Sequence, residues 1–315
     1  ILRGGEIIVL LAGGKQLSVI RREQKLEQMQ LDGLLTATMP VEGLRVGDVL
    51  RLRFSTTRKD PTLGGEVQSS LPLFADPMRV QFGRARLIWP ENATVKWKSY
   101  AGNTQPQEGK IAGGYRELSI ALPIGKQGEV PKDAPARFQP MTFLDATSYP
   151  DWSSVARTMA PLYATKGLIA EGSPLAKEVA AIAATSTDPR VRAAGALQLV
   201  QDKVRYLFNG MAQGHYVPQA PGETWSVRYG DCKAKTLLLL AILHELGIEA
   251  EAALVHSSLG DLLPTRLPMP GAFDHVIVRA TIAGESLWLD GTSSGDRLAD
   301  LGNVPRFRHV LPLRI

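Results

Sequence analysis

Tyr229-Gly-Asp-Cys-Lys-Ala-Lys-Thr-Leu-Leu-Leu-Leu240 joins a turn signal to an uncharged apolar run, and its reading decides the second half of the chain. Gly230 permits a tight backbone turn, Asp231 is a preferred N-cap, and Gly247 supplies a stop. The stretch predicts a helix from Asp231 or Cys232 to Leu246, with the thiol in its first turn. Unpaired N–H groups and the helix dipole favour an anion at that place. Helix N-termini and nearby cations lower a thiol pKa from about 8.5 to between about 3.5 and 7.5, and the thiolate is the nucleophile. Lys233 and Lys235 supply cations. The same terminal amides suit the oxyanion formed when a carbonyl is attacked. Most free cysteines are inert core packing. Core packing, however, requires neither Gly230 nor Asp231 in front of the thiol.

Downstream, Phe273-Asp-His-Val-Ile-Val-Arg-Ala280 and Ser286-Leu-Trp-Leu-Asp290 read as two strands joined by an Ala283-Gly284 turn. If Ile282 pairs with Glu285, Asp290 falls opposite Ile277 and shares a face with His275, at a diagonal spacing of about 7–8 Å. A nucleophilic cysteine needs a base to move its proton and a carboxylate to fix the imidazole tautomer. Cys232, His275 and Asp290 are therefore the candidate catalytic residues. Taken singly, His275 also reads as a sheet histidine and Asp290-Gly291 as a turn. The remaining histidines make poor competitors. His244-Glu245 has no second histidine at metalloprotease spacing, and His215, His256 and His309 show no ligand pattern. Gly13-Gly-Lys-Gln16 lacks the first glycine and the Ser/Thr of a phosphate loop. Neither a metal nor a cofactor is expected.

The 315 residues suffice for about two domains of about 100–200 residues each. Through residue 130 or so, short branched or alternating segments (Glu6–Leu11, Val49–Thr56, Val80–Trp89 and Thr94–Tyr100) are separated by Gly, Pro and Asn. They predict an antiparallel β-sandwich-like unit or a large twisted sheet. Pro131-Lys-Asp-Ala-Pro135 and Pro140 read as a connection. Helical signals dominate after Pro150. Asp151, Ser173-Pro174 and Asp188-Pro189 are start signals, the last opening a helix with Leu197, Val200, Val204 and Leu207 at helical spacing. Strands over Ala250–Val255, Asp274–Ile282 and Ser286–Leu289 follow the helices, which makes the whole an α+β chain.

Composition excludes several classes. With 44% hydrophobic and 21% charged residues the chain is globular rather than disordered. The net charge of +5 arises from 36 scattered cations against 31 anions, without the basic-aromatic clustering of a nucleic-acid binder. A single cysteine forbids an internal disulfide. The longest apolar run, Leu237–Leu243, is too short to span a bilayer. The start at Ile1 without Met is expected of a processed or trimmed form.

Six blocks, in order, resemble the bacterial transglutaminase-like superfamily, a branch of the papain-like cysteine enzymes. They are Leu199-Val-Gln-Asp-Lys-Val-Arg-Tyr206, Gly214-His-Tyr-Val-Pro218, Arg228-Tyr-Gly-Asp-Cys-Lys-Ala-Lys-Thr236, Leu246-Gly-Ile-Glu-Ala250, Phe273-Asp-His-Val-Ile-Val278 and Trp288-Leu-Asp-Gly-Thr292. The resemblance runs from about Asp151 to Thr292. It implies a helices-plus-sheet domain over 147–315, with Cys232 as nucleophile, His275 as base and Asp290 as orienting acid. Tyr216 and Trp225, between the helices and Cys232, become candidate substrate-binding residues, with loop packing as the alternative. Ala234 stands where the family has an acidic residue, and Gly291 where it has proline, which bears on subfamily and substrate. Residues 1–146 resemble the β-rich domain of unknown function that commonly precedes such domains in bacterial envelope proteins, best at Leu44-Arg-Val-Gly-Asp-Val49. Together these imply a periplasmic or cell-envelope hydrolase or acyltransferase. Its substrate is expected to be an amide, peptide or protein, with no nucleic-acid partner and no membrane span. The alternative is a non-catalytic peptide- or glycan-binding scaffold.

Overall fold

The computed structural model describes residues 18–20, 36–38, 45–46, 59–78, 82–207 and 216–314. The predicted strands Glu6–Leu11 and Val49–Thr56 lie outside the described residues. The first half contains β1 (Ser18–Ile20), β2 (Thr36–Thr38), β3 (Gln68–Pro72), β4 (Gly83–Pro90) and β5 (Lys96–Ser99). It continues with β6 (Gln107–Ile111), β7 (Tyr115–Leu122) and β8 (Phe143–Thr147). The second half begins with α1 (Trp152–Met159), α2 (Pro174–Thr185) and α3 (Pro189–Lys203). Next come β9 (Arg205–Tyr206), α4 (Pro221–Val227), β10 (Tyr229–Gly230) and α5 (Cys232–Glu245). The chain ends with β11 (Glu249–Val255), β12 (His275–Ile282), β13 (Glu285–Leu289) and β14 (Val310–Pro312). The fold is α+β with several antiparallel sheets, as the sequence predicts.

Two three-stranded antiparallel sheets, β4-β7-β6 and β3-β8-β5, share one hydrophobic cluster. Alternation explains it. In β4, Ala85, Leu87 and Trp89 turn inward while Arg84 and Arg86 face water, and Leu118 and Ile120 of β7 meet them. β8 is buried on both faces. Leu144 and Ala146 enter that cluster, whereas Asp145 and Thr147 point the other way, toward the second half of the chain. The boundary drawn at 146/147 thus falls inside a strand.

Three helices of the second half begin at the caps the sequence marks, with Asp151, Ser173 and Asp188 each accepting from a first-turn N–H. α5 is buried at every position from Cys232 to Leu243, and its apolar run Leu237–Leu243 offers no polar face to water. α5 packs against the antiparallel sheet β13-β12-β11-β14, and α3 and α4 pack against α5. One helix is shorter than its periodicity predicts. Leu197 and Val200 lie on α3, but the helix ends at Lys203, and Val204 is extended. Leu207 follows β9, whose backbone pairs in parallel with β10, the strand that feeds Cys232. Backbone pairing to a non-local strand outweighs helical propensity there.

Candidate active site

Cys232 is the first residue of α5 and is 2% exposed. Its position is set from both sides. Asp231 Oδ1 accepts from Ala234 N at 3.0 Å, capping the helix, while Leu207 N donates to Gly230 O at 3.0 Å. Gly230 is required by close approach, because a Cβ there would lie 2.8 Å from Ala234 Cβ and 3.1 Å from Thr224 Cγ2. One turn into the helix, Thr236 Oγ1 donates to Val276 O at 3.0 Å, tying α5 to the strand residue after His275.

The hairpin has the register that the parity argument needs. Ile282 pairs with Glu285 across Ala283 and Gly284, at φ of 53° and 79°, the left-handed conformations of a type I′ turn. The ladder continues to Val278 opposite Leu289, so Asp290 is next in line opposite Ile277. His275 Nε2 meets Asp290 Oδ2 at 2.9 Å, and Cys232 is near enough to the ring to help raise its pKa. With Nε2 engaged by Asp290, Nδ1 is the nitrogen left for the thiol. The other carboxylate oxygen, Oδ1, accepts from Thr292 N at 2.8 Å and Thr292 Oγ1 at 2.7 Å. Gln201 of α3, nearly buried, donates to the Asp290 carbonyl at 2.9 Å and accepts from Asp296 N at 3.1 Å. The carboxylate is therefore held by its side chain and by its backbone.

Electrostatics follow from this packing. Burial opposes a charge on His275, but the hydrogen bond to Asp290, the approach of Cys232 and attraction to both outweigh it and raise the imidazole to about 10. Burial likewise opposes the Asp290 charge, and the His275 and Thr292 contacts overcome it, keeping the carboxyl below its ordinary value. The phenol of Tyr206 is pushed up by burial and then by Cys232, Asp231 and Asp290, so it stays a protonated donor.

Neither lysine read from sequence as a cation near the thiol is exposed. Lys233 is buried and pairs with Asp231. Lys235 is also buried; it donates to Val204 O, and burial lowers its pKa to about 8 against the attraction of Asp290. Tyr216 and Trp225 are both buried. The Tyr216 hydroxyl accepts from Gln68 of β3, and the Trp225 ring lies 3.5 Å beneath the Arg228 guanidinium. Trp225 lines two surface clefts, of about 610 and 450 Å³, in which Cys232, His275 and Asp290 take no part. His244 is exposed, hydrogen-bonded to Thr165 and the Ala250 carbonyl away from the thiol. Gln201, Thr236 and Tyr206 are site residues that residue-type reasoning did not single out. Their only sequence signal is that Gln201, Tyr206 and Thr236 fall inside the quoted family blocks.

Residues 4–122 match the family model of a domain of unknown function with a solved structure, DUF3857. A presumptive protease from Parabacteroides distasonis superposes with a TM-score of 0.59 over 74% of this chain and 44% of its own, at 18% identity. The chain therefore spans less than half of that protein, and the likeness is one of fold. A presumptive cysteine protease from Cytophaga hutchinsonii (TM-score 0.33, 11% identity, 79% of this chain and 82% of its own) is more distant. So is a TGase, at a TM-score of 0.30 and 11% identity over 61% of this chain and 45% of its own. No curated protein matches the chain. Among the described residues, no helix is long and apolar enough to cross a membrane.

Proposed function

We propose that the chain is a transglutaminase-like cysteine enzyme that transfers acyl groups from an amide or peptide. In this reading residues 147–315 form the catalytic domain and residues 1–146 a sandwich-like domain before it. The observation that carries the proposal is the hydrogen bond from His275 to Asp290 beside Cys232, with the thiol at a capped helix start.

The steps follow from that arrangement. The Cys232 thiolate attacks the substrate carbonyl, and the tetrahedral oxyanion is stabilised by the Cys232 N–H, which as a first-turn amide has no partner within the helix. His275, protonated on the side facing the thiol, gives its proton to the leaving amine, and a thioester remains on Sγ. Water or an amine then attacks the thioester while His275 takes the incoming proton, releasing the acyl product and restoring the thiolate. Asp290 holds the ring and stabilises the imidazolium throughout. A cell-envelope location for such an enzyme rests on the family resemblance.

Near-complete burial of Cys232 by itself favours the scaffold reading, since packed cysteines are inert. A packed cysteine has no use for an imidazole held by a carboxylate. Alkylation decides between them. With iodoacetamide near neutral pH, Cys232 is expected to react faster than free cysteine, and His275→Ala to slow it on the order of 10²-fold. Equal rates for wild type, His275→Ala and free cysteine would remove the proposed mechanism.

A further inference from the structure

Val255 pairs with His275 across β11 and β12, so the strands remain paired up to the residue that bears the ring. Residues 256–274 leave between them and return. Two short 3-10 helices, Gly260–Thr265 and Pro270–Ala272, give this connection a structure of its own. Its neck is closed locally by Asp274 N to Val255 O at 3.2 Å, and by the Asp274 carboxylate accepting from Ser257 N at 2.7 Å. Its far side is bonded to the first half of the chain.

The partner is one face of β3-β8-β5. The registers place Gln68, Thr147 and Lys96 in one row and Ser70, Asp145 and Lys98 in the next, all on the face opposite the hydrophobic cluster. This face is partly buried yet polar, and its side chains take up the loop's backbone. Thr147 Oγ1 donates to Pro268 O at 2.9 Å, and Gln68 Oε1 accepts from Gly271 N at 2.7 Å. Lys98 donates to Thr265 O, and Tyr100 Oη, one residue past β5, accepts from Leu267 N at 3.0 Å. Asp145, fully buried, takes both arms of the Arg266 fork, Nε at 3.0 Å and Nη2 at 2.9 Å. Nη2 also meets Ser70 Oγ at 3.1 Å. Gly271 fits because a Cβ there would come within 3.0 Å of Gln68 Oε1. The same Gln68 donates to the Tyr216 hydroxyl, so one side chain joins two segments of the second half.

We infer that this face is part of the catalytic unit, and that Gln68 and Asp145 are positioning residues that hold His275 against Cys232 by anchoring the 256–274 loop. The inference rests on the reading of His275 as the proton carrier. A binding module that moves independently would present side chains to a ligand. This face spends them on the loop that delivers the ring.

The test uses the intact chain, with two readouts: the rate of Cys232 alkylation by iodoacetamide across pH, and the titration midpoint of the isotope-labelled His275 ring by NMR. Gln68→Ala and Asp145→Asn are expected to slow alkylation near pH 7 on the order of 10- to 100-fold, as misplacement by about an ångström does, and to lower the His275 midpoint. Gln68→Glu keeps the acceptor for Gly271 N and should restore both. Should Asp145→Asn fail to fold by circular dichroism, the Gln68 pair decides alone. Folded Gln68→Ala with wild-type rate and midpoint overturns the inference, as does failure of Gln68→Glu to restore either. If wild-type Cys232 reacts like free cysteine, the proposed function fails, while the His275 midpoint still decides whether the loop is held.

Discussion

His275 carries two opposed tendencies, and their balance sets how the site responds to pH. Burial alone would neutralise the ring, yet Asp290 and Cys232 hold its proton up to about 10. A folded-state value above the ordinary 6.5 means the native form binds the proton more tightly than the unfolded chain does. The stabilisation is therefore complete below about 6.5 and is lost as pH rises toward 10. Asp290→Asn removes the carboxylate charge, so the His275 midpoint should fall toward 6.5. The stability gap between wild type and Asp290→Asn, measured by urea unfolding, should narrow between those two pH values. A midpoint that is the same in both proteins would show that Asp290 does not sustain the imidazolium. The place of Cys232 at a helix start and the meeting of His275 with Asp290 were legible from sequence because cap and hairpin signals are local. Gln201 was not, since its effect on Asp290 depends on a contact 89 residues away that no spacing announces.

At the scale of elements, the start of α5 combines two interactions in one side chain. Asp231 caps the helix through Oδ1 and pairs with the buried Lys233 through Oδ2. Removing an N-cap costs about 0.5–2 kcal/mol, and breaking a buried ion pair by deleting one partner costs about 3–5 kcal/mol. Asp231→Ala should thus destabilise by about 3 kcal/mol or more. Asp231→Asn, which keeps the capping oxygen, should be milder by about 1 kcal/mol. Urea midpoints of the two variants measure the difference, and equal losses would mean the cap contributes nothing. Elements with a strong local signature were visible in the sequence: the caps of α1, α2, α3 and α5, and the hairpin of β12 and β13. The strand β6 was not, because Gln107-Glu-Gly-Lys-Ile111 is exposed at every position and shows no alternation. In β8 the run Phe-Leu-Asp-Ala-Thr is interrupted by a polar residue whose burial depends on the distant Arg266.

For the whole molecule, the buried pair of Asp145 and Arg266 joins the halves. Arg266→Met alone leaves a fully buried carboxylate without its guanidinium and should cost about 3–5 kcal/mol. Asp145→Leu combined with Arg266→Met removes both charges, and replacing buried pairs by apolar residues is often neutral or better. The double variant is expected to recover most of the stability in urea unfolding; losses that simply add would contradict the coupling. Sequence reading divided the chain into two halves of different character and stopped there, since the bonds from the shared face to the loop span 121 to 203 residues.

The chemistry of that shared face also matters before the fold is complete. Synthesis runs from the N-terminus, and β3, β5 and β8 leave the ribosome well before Arg266 and Gly271. In that interval an apolar face would be a surface for aggregation. Gln68, Ser70, Lys98, Asp145 and Thr147 are instead hydrated as readily by water as they are later bonded by the loop. The nascent chain can wait for its second half in solution.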